Sequence, residues 1–256
     1  MIDLAIADGI ARVTLDAPAK LNALDETGLR ELSSAYQEAE AAGVRALVLS
    51  GTGRAFCAGR DIAGVDPATD DVSGYLDGLV TPLLRRMSAF PAPTFAAAQG
   101  ASLGVGLGLL LATDVVYVAE DAKIGSPFAA LGALLDSGGH SLFVSRLGAH
   151  KALDLIYTGR LMSGTEAVAS GLFSRALPAG ELQQAVDAAA ATAASGATAA
   201  LLASKRIVAA IRDGELALWD AVAAENRAQE ELRATADYRE GFAAFQQKRK
   251  PEFRGE

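Results

Sequence analysis

The stretch Thr94-Phe95-Ala96-Ala97-Ala98-Gln99-Gly100-Ala101-Ser102-Leu103-Gly104-Val105-Gly106 decides the fold. It opens on an apolar strand over 94–98, turns at Gln99-Gly100 and enters an apolar helical segment over 103–112. An apolar strand with no polar alternation suits a parallel sheet covered on both faces. The same order recurs upstream. Ala46-Leu47-Val48-Leu49 runs into a glycine-rich loop over 51–64, and a helical segment follows at about 73–89. Downstream, Val115-Val116-Tyr117-Val118 supplies a third strand. This is no sequence repeat, but it predicts a repeated β/α supersecondary unit.

The flanks complete an α/β layout. Apolar runs over 2–6 and 11–15 joined by Asp8-Gly9 predict a hairpin, and residues 25–42 carry helical spacing that stops at Gly43. After residue 137 helix signals dominate: 137–147, 150–158, the capping box Ser163-Gly164-Thr165-Glu166, 180–195, 198–212 and 215–232. No polar linker separates these helices from the core, so the tail is expected to pack on the core or on a neighbouring subunit. The chain has 256 residues, 51% hydrophobic and 21% charged, which excludes disorder. A net charge of −8 argues against nucleic acid or an anionic membrane as partner. The single cysteine, Cys57, has no internal disulfide partner and suits a reducing compartment, and MIDLAIADGIARVTL shows no secretory pattern. The uncharged segment 87–113 is long enough for a membrane span of ~20 residues, but Pro91, Pro93, Gln99 and Gly100 divide it. It reads as a buried strand, a turn and a buried helix.

Two loops follow buried strands and precede helices: Ala55-Phe56-Cys57-Ala58-Gly59-Arg60-Asp61, and 99–106. Such a pair could aim two backbone N–H groups at one developing oxyanion, or could serve only tight strand–helix packing. Few charged side chains stand between Arg86 and Arg146: Asp114, Glu120, Asp121, Lys123 and Asp136, with His140. Asp136 lies between an apolar run and a glycine pair. Local sequence allows it to be a helix N-cap or a proton shuttle of raised pKa. His140, four residues on, could hydrogen-bond Asp136 or be exposed. His150 reads as surface. Cys57 reads as a small packed residue, since no base stands beside it.

These motifs resemble the enoyl-CoA hydratase/isomerase, or crotonase, family over nearly the whole chain. The matching pieces are Pro18-Ala19-Lys20-Leu21-Asn22-Ala23-Leu24, the two glycine loops, Tyr157-Thr158-Gly159, Glu166-Ala167-Val168-Ala169-Ser170-Gly171-Leu172, and Asp237-Tyr238-Arg239-Glu240-Gly241-Phe242-Ala243-Ala244-Phe245 followed by Lys248-Arg249-Lys250-Pro251. The resemblance implies a ClpP/crotonase-like spiral of ββα units over 1–195 and a C-terminal helical trimerisation region over 196–256. It implies an acyl-CoA thioester substrate and no separate cofactor, since coenzyme A is part of the substrate. It implies no metal, a cytoplasmic setting and a homotrimer or dimer of trimers. The backbone N–H groups of Arg60 and Val105 would form the oxyanion hole. Lys20, Ala23, Ala58, Asp61 and Phe128, with Phe245 and Lys248 of the tail, would contact coenzyme A or substrate. Residues 62–85 would line the acyl pocket.

The sequence departs from the family's hydratases, which use two glutamates. By alignment those places hold Gly108 and Phe128, neither ionisable. Asp136 stands where an isomerase subgroup carries its acid, a subgroup that includes Δ3,Δ2-enoyl-CoA and phenylacetate-pathway isomerases. Related thioester dehalogenases pair a nearby aspartate with an upstream histidine, and residues 83–93 hold none. The expected activity is therefore double-bond isomerisation with Asp136 as shuttle, its pKa raised by Phe128, Leu131, Leu134 and Leu135. The alternatives are a hydratase with displaced acids and an acyl-CoA-binding paralogue of weak turnover.

Overall fold

The computed structural model describes residues 1–256. The predicted hairpin is β1 (Ile2–Ala7) and β2 (Ile10–Leu15), paired antiparallel in register Ile2 to Leu15. Asp8 and Gly9 both take positive φ, 52° and 72°, the pattern of a type I′ turn. Asp25 caps α1 (Glu26–Ala41) by accepting from the Gly28 N–H at 2.8 Å. Beyond β2 the sheet is parallel, through β3 (Ala46–Gly51), β4 (Thr94–Ala98), β6 (Val115–Ala119) and β8 (Arg175–Leu177). A second, two-stranded parallel sheet joins β5 (Ala101–Leu103) to β7 (Lys123–Gly125). Two units, β4–β5 and β6–β7, thus contribute one strand to each sheet before the next helix.

Two segments divide where the sequence reading has them continuous, and the helices expected from 137 and 215 begin at Gly139 and Leu218. The apolar segment 103–112 divides, because residues 101–103 pair with β7, and α4 (Val105–Leu111) starts only after Gly104. The segment 73–89 is α2 (Val72–Tyr75), a π turn over Leu76–Val80, and α3 (Thr81–Ser88). Pro82 has no N–H to offer the Gly78 carbonyl, and the widened turn accommodates that missing bond.

The remaining helices are α5 (Gly139–Leu147), α6 (Ala149–Thr158), α7 (Gly164–Ala169), α8 (Ala179–Ala194), α9 (Thr198–Arg212), α10 (Leu218–Leu232) and α11 (Ala236–Gln247). The capping box at α7 is half formed. Ser163 Oγ accepts the Glu166 N–H at 3.0 Å, but the Glu166 carboxylate turns to Arg160 at 2.7 Å, where opposite charge attracts it, instead of back to Ser163. No single helix is long and apolar enough to cross a membrane. The segment 87–113 forms β4, β5 and α4, whose residues are largely buried inside the protein.

The tail does pack on the core. Lys205 on α9 donates to the carbonyls of Phe90 and Ala92 at 2.9 and 3.2 Å and pairs with Asp114 at 2.9 Å. Arg45, before β3, donates to Thr198 Oγ1 and to the Phe253 carbonyl, both at 3.1 Å.

Asn22, one of the residues quoted from the N-terminal motif, ties that segment to the first glycine loop. Its side chain donates to the carbonyls of Thr52 and Ala55, both at 2.9 Å, and accepts the Ala17 N–H at 2.8 Å. It is buried, with φ 57°. Asn22→Ala strands three backbone groups and puts alanine in a left-handed conformation. Urea unfolding should show a loss of about 3 kcal/mol.

Candidate active site

The two glycine loops pack edge to edge. Phe56 and Cys57 donate their N–H groups to the carbonyls of Gln99 and Ala101 at 2.7 and 3.0 Å, and Leu103 donates back to Cys57 at 3.0 Å. The approach is close enough to forbid side chains. A Cβ on Gly106 would stand 2.4 Å from the Cys57 carbonyl oxygen, and one on Gly100 (φ 57°) 1.9 Å from that of Arg54. Gly59 lies against Leu103 and Gly104. The residues that follow these contacts in the two loops, Arg60 and Val105, therefore stand at one junction.

Their N–H groups are available there. Leu24 donates to Gly59 at 2.8 Å and accepts from Asp61 at 3.0 Å, so the N–H of Arg60 between them faces away from that bridge. It has no protein acceptor. Val105 is the first residue of α4, where a helical N–H has no partner in its own helix and the positive end of the helix dipole favours negative charge.

Only the Arg60 N–H was expected to matter, but its side chain is also engaged. The guanidinium binds Asp70 through two bonds, at 2.9 and 2.6 Å. It lies over the Tyr75 ring at 4.1 Å, and Tyr75 Oη donates to the Leu24 carbonyl at 3.1 Å. Leu24 is the bridge partner of Arg60, so these contacts close a ring around the donor. Asp70 and Tyr75 were not singled out in the sequence, because neither carries a local signal for a partner 10 or 15 positions away.

Asp136 is half-buried and accepts a hydrogen bond from Ser137 Oγ at 2.8 Å. Burial raises its pKa above the ordinary aspartate value, and the Ser137 hydroxyl and the Arg60 charge oppose that rise. The helix-cap reading fails: α5 has Gly138 at its N-cap and no side-chain cap. His140 is exposed and makes no hydrogen bond to Asp136. Two of the four expected apolar neighbours also fail. Leu131 and Leu134 are 62% and 72% exposed, because the short 3₁₀ turn Phe128–Leu131 and the irregular residues after it turn them outward. Leu135 is buried, and the Phe128 ring packs on Gly104, where a Cβ would come within 2.6 Å of it.

The other expected contact residues divide into two groups. Lys20 and Asp61 pair at 2.7 Å beside the first loop, which lowers the Asp61 pKa and raises that of Lys20. Ala23 is buried next to Leu24, and Ala58 donates its N–H to the Leu21 carbonyl at 2.9 Å. Phe245 and Lys248 are elsewhere in the single chain. Phe245, 85% exposed, sits on α11 at an apolar groove of about 470 Å³ shared with Tyr238, Phe242 and Phe253, and Lys248 ends that helix.

This spiral of strands and helices with its helical C-terminal region is the crotonase fold. The family model for enoyl-CoA hydratase/isomerase matches residues 5–256. The chain is 35% identical over 250 residues to the protein named "Probable enoyl-CoA hydratase" of Rhodobacter capsulatus, covering 98% of this chain and 96% of that one. It is 38% identical over 247 residues to the protein of the same name in Rhizobium meliloti, covering 96% and 94%. The crystal structure of enoyl-CoA hydratase from Bacillus anthracis superposes with a TM-score of 0.90 at 29% identity, covering 100% of this chain and 99% of that one. The chain belongs to the enoyl-CoA hydratase/isomerase family.

Cys57 is buried, and burial pushes its thiol up to about 12. In the folded protein at pH 8 it should resist alkylation by iodoacetamide and react only once urea unfolds the chain. Mass spectrometry of the quenched reaction reads the difference.

Proposed function

We propose that this protein is an enoyl-CoA double-bond isomerase in which Asp136 moves one proton. One observation carries the reading: Asp136 is a half-buried carboxylate with no ion-pair partner. Asp61 and Asp70, the other carboxylates flanking the loops, are each held by a cation. The places of the hydratase glutamates support the same reading. Gly108 packs against Ser137, and the Phe128 ring packs on Gly104.

The proposed reaction is redox-neutral. The Arg60 and Val105 N–H groups donate to the thioester oxygen of a 3-enoyl-CoA. Asp136 removes a proton from C2, and the C2–H electron pair enters the dienolate held by those two donors. Asp136 then delivers the proton to C4, the double bond settles between C2 and C3, and the carboxylate is regenerated. Each oxyanion donor is worth roughly 3 kcal/mol in such a transition state. No cofactor is needed beyond the coenzyme A of the substrate. Lys20, Ala23, Ala58, Asp61 and Phe128 are proposed to contact coenzyme A or substrate. Ring-derived acyl groups, as in phenylacetate breakdown, and straight-chain acyl groups both fit this chemistry, in a cytoplasmic setting.

Water addition is the second reading, favoured by the hydratase names of the relatives. It needs a group to activate water in addition to one that protonates C2. We also propose a trimer or dimer of trimers, because the tail helices expose Trp219 at 78% and Phe245 at 85%. In that assembly Phe245 and Lys248 would reach a neighbour's site.

Three measurements follow from this reading. Asp136→Asn should lower conversion of 3-enoyl-CoA to 2-enoyl-CoA by about 10²-fold or more and leave acyl-CoA binding intact, read by absorbance and calorimetry. Full turnover in that variant would sink the shuttle, and hydration by the wild type would favour the second reading. The same variant should melt at a higher temperature than wild type at pH 7. A carboxyl whose folded pKa is raised costs stability as pH climbs from its unfolded value through its folded one, and the amide carries no such cost. Light scattering at micromolar concentration should give three or six chain masses, and a monomer mass would remove the assembly proposal.

A further inference from the structure

We infer that Ser137 positions the Asp136 carboxylate, and that Gly108 is glycine because Ser137 fills the space a side chain there would need. The inference rests on Asp136 being the proton shuttle. Ser137 takes a left-handed backbone, φ 54°, which a residue with a Cβ adopts at a cost that glycine avoids. Gly138 and Gly139 follow directly, so glycine is the residue this turn otherwise uses. What the serine adds is its hydroxyl, donated to Asp136 Oδ1 at 2.8 Å. Strained backbone held at a site by its surroundings is often functional.

The surroundings come from α4. A Cβ on Gly108 would lie 2.4 Å from Ser137 Cβ and 3.1 Å from Ser137 Oγ. Glycine in a helix interior is otherwise unfavourable relative to alanine, so Gly108 has a cause outside its own helix. The pair excludes a side chain from the first hydratase-acid position and braces the serine against the carboxylate. The other groups near Asp136 are few. Arg60 from the first loop is charged and shared with Asp70. Tyr75 of α2 is neutral, with burial pushing its phenol above the usual range. α4 carries no ionisable side chain, and His140 of α5 is exposed. Ser137 is thus the sole side chain hydrogen-bonded to the carboxylate. Its O–H stabilises the charged form, so its loss raises the pH at which Asp136 takes up a proton.

The test is the pH dependence of kcat/KM for 3-enoyl-CoA isomerisation in Ser137→Gly, Ser137→Ala and Gly108→Ala, beside Asp136→Asn. In both serine variants the midpoint of the acid limb should move to higher pH by about one unit. Ser137→Gly should melt no lower than wild type, since its backbone strain is relieved. Gly108→Ala should cut activity in the wild-type background, and adding Ser137→Gly should restore part of it, a coupling that independent sites lack. If Asp136→Asn is inactive while the acid limb stays in place in both serine variants, Ser137 has no positioning role. If Gly108→Ala loses the same activity with or without Ser137→Gly, the steric account of Gly108 fails. If Asp136→Asn turns over fully, the shuttle reading itself is wrong.

Discussion

The close docking of two glycine loops is the constraint on which the site depends. A Cβ at Gly100 or Gly106 would overlap a backbone oxygen of the other loop. Because those side chains are absent, Cys57 can pair with Ala101 and Leu103, and the chain leaves that ladder at Arg60 and Val105. The N–H positions are fixed by backbone hydrogen bonds, with no flexible side chain between scaffold and donor. Such fixed dipoles need little reorganisation as charge develops. The ring of Leu24, Arg60 and Tyr75, with Asp70, braces the same donor from the other side.

Around that scaffold the electrostatics pull in two directions. Burial favours protonated Asp136, while Ser137 and the Arg60 charge favour the carboxylate. The proposed shuttle must both take up and release a proton, and these opposing influences on its carboxylate are what that proposal draws on. Sharing Arg60 with Asp70 limits the opposing effect, because the guanidinium is already paired. The lone buried thiol plays no part in this balance.

Much of the fold was legible in the chain. Strands 46–49, 95–98 and 115–118 are apolar because α8 packs across β3, β4 and β6, and Asp8-Gly9 carries the turn chemistry its hairpin needs. Helix 198–212 has the bounds of α9. The paired loops were visible as glycine patterns, and Asp136 as a lone acid in apolar sequence. What could not be read was non-local. Gly108 and Ser137 are 29 positions apart, and neither predicts the other without the packing of α4 on the following turn. Leu131 and Leu134 were expected beside Asp136 from proximity in sequence alone, but a short 3₁₀ turn directs them outward. The π turn needed the geometric effect of Pro82, and the side-chain role of Arg60 needed Asp70 and Tyr75 in place.

The central claim is that one carboxylate carries one proton between two carbons. It is tested most directly with 3-enoyl-CoA deuterated at C2, turned over once in ordinary water, with the product analysed by mass spectrometry and NMR. The account predicts 2-enoyl-CoA that retains part of the deuterium at C4, the remainder exchanging through the exposed part of Asp136. A product with no deuterium at C4, or one that has gained the elements of water, would contradict it.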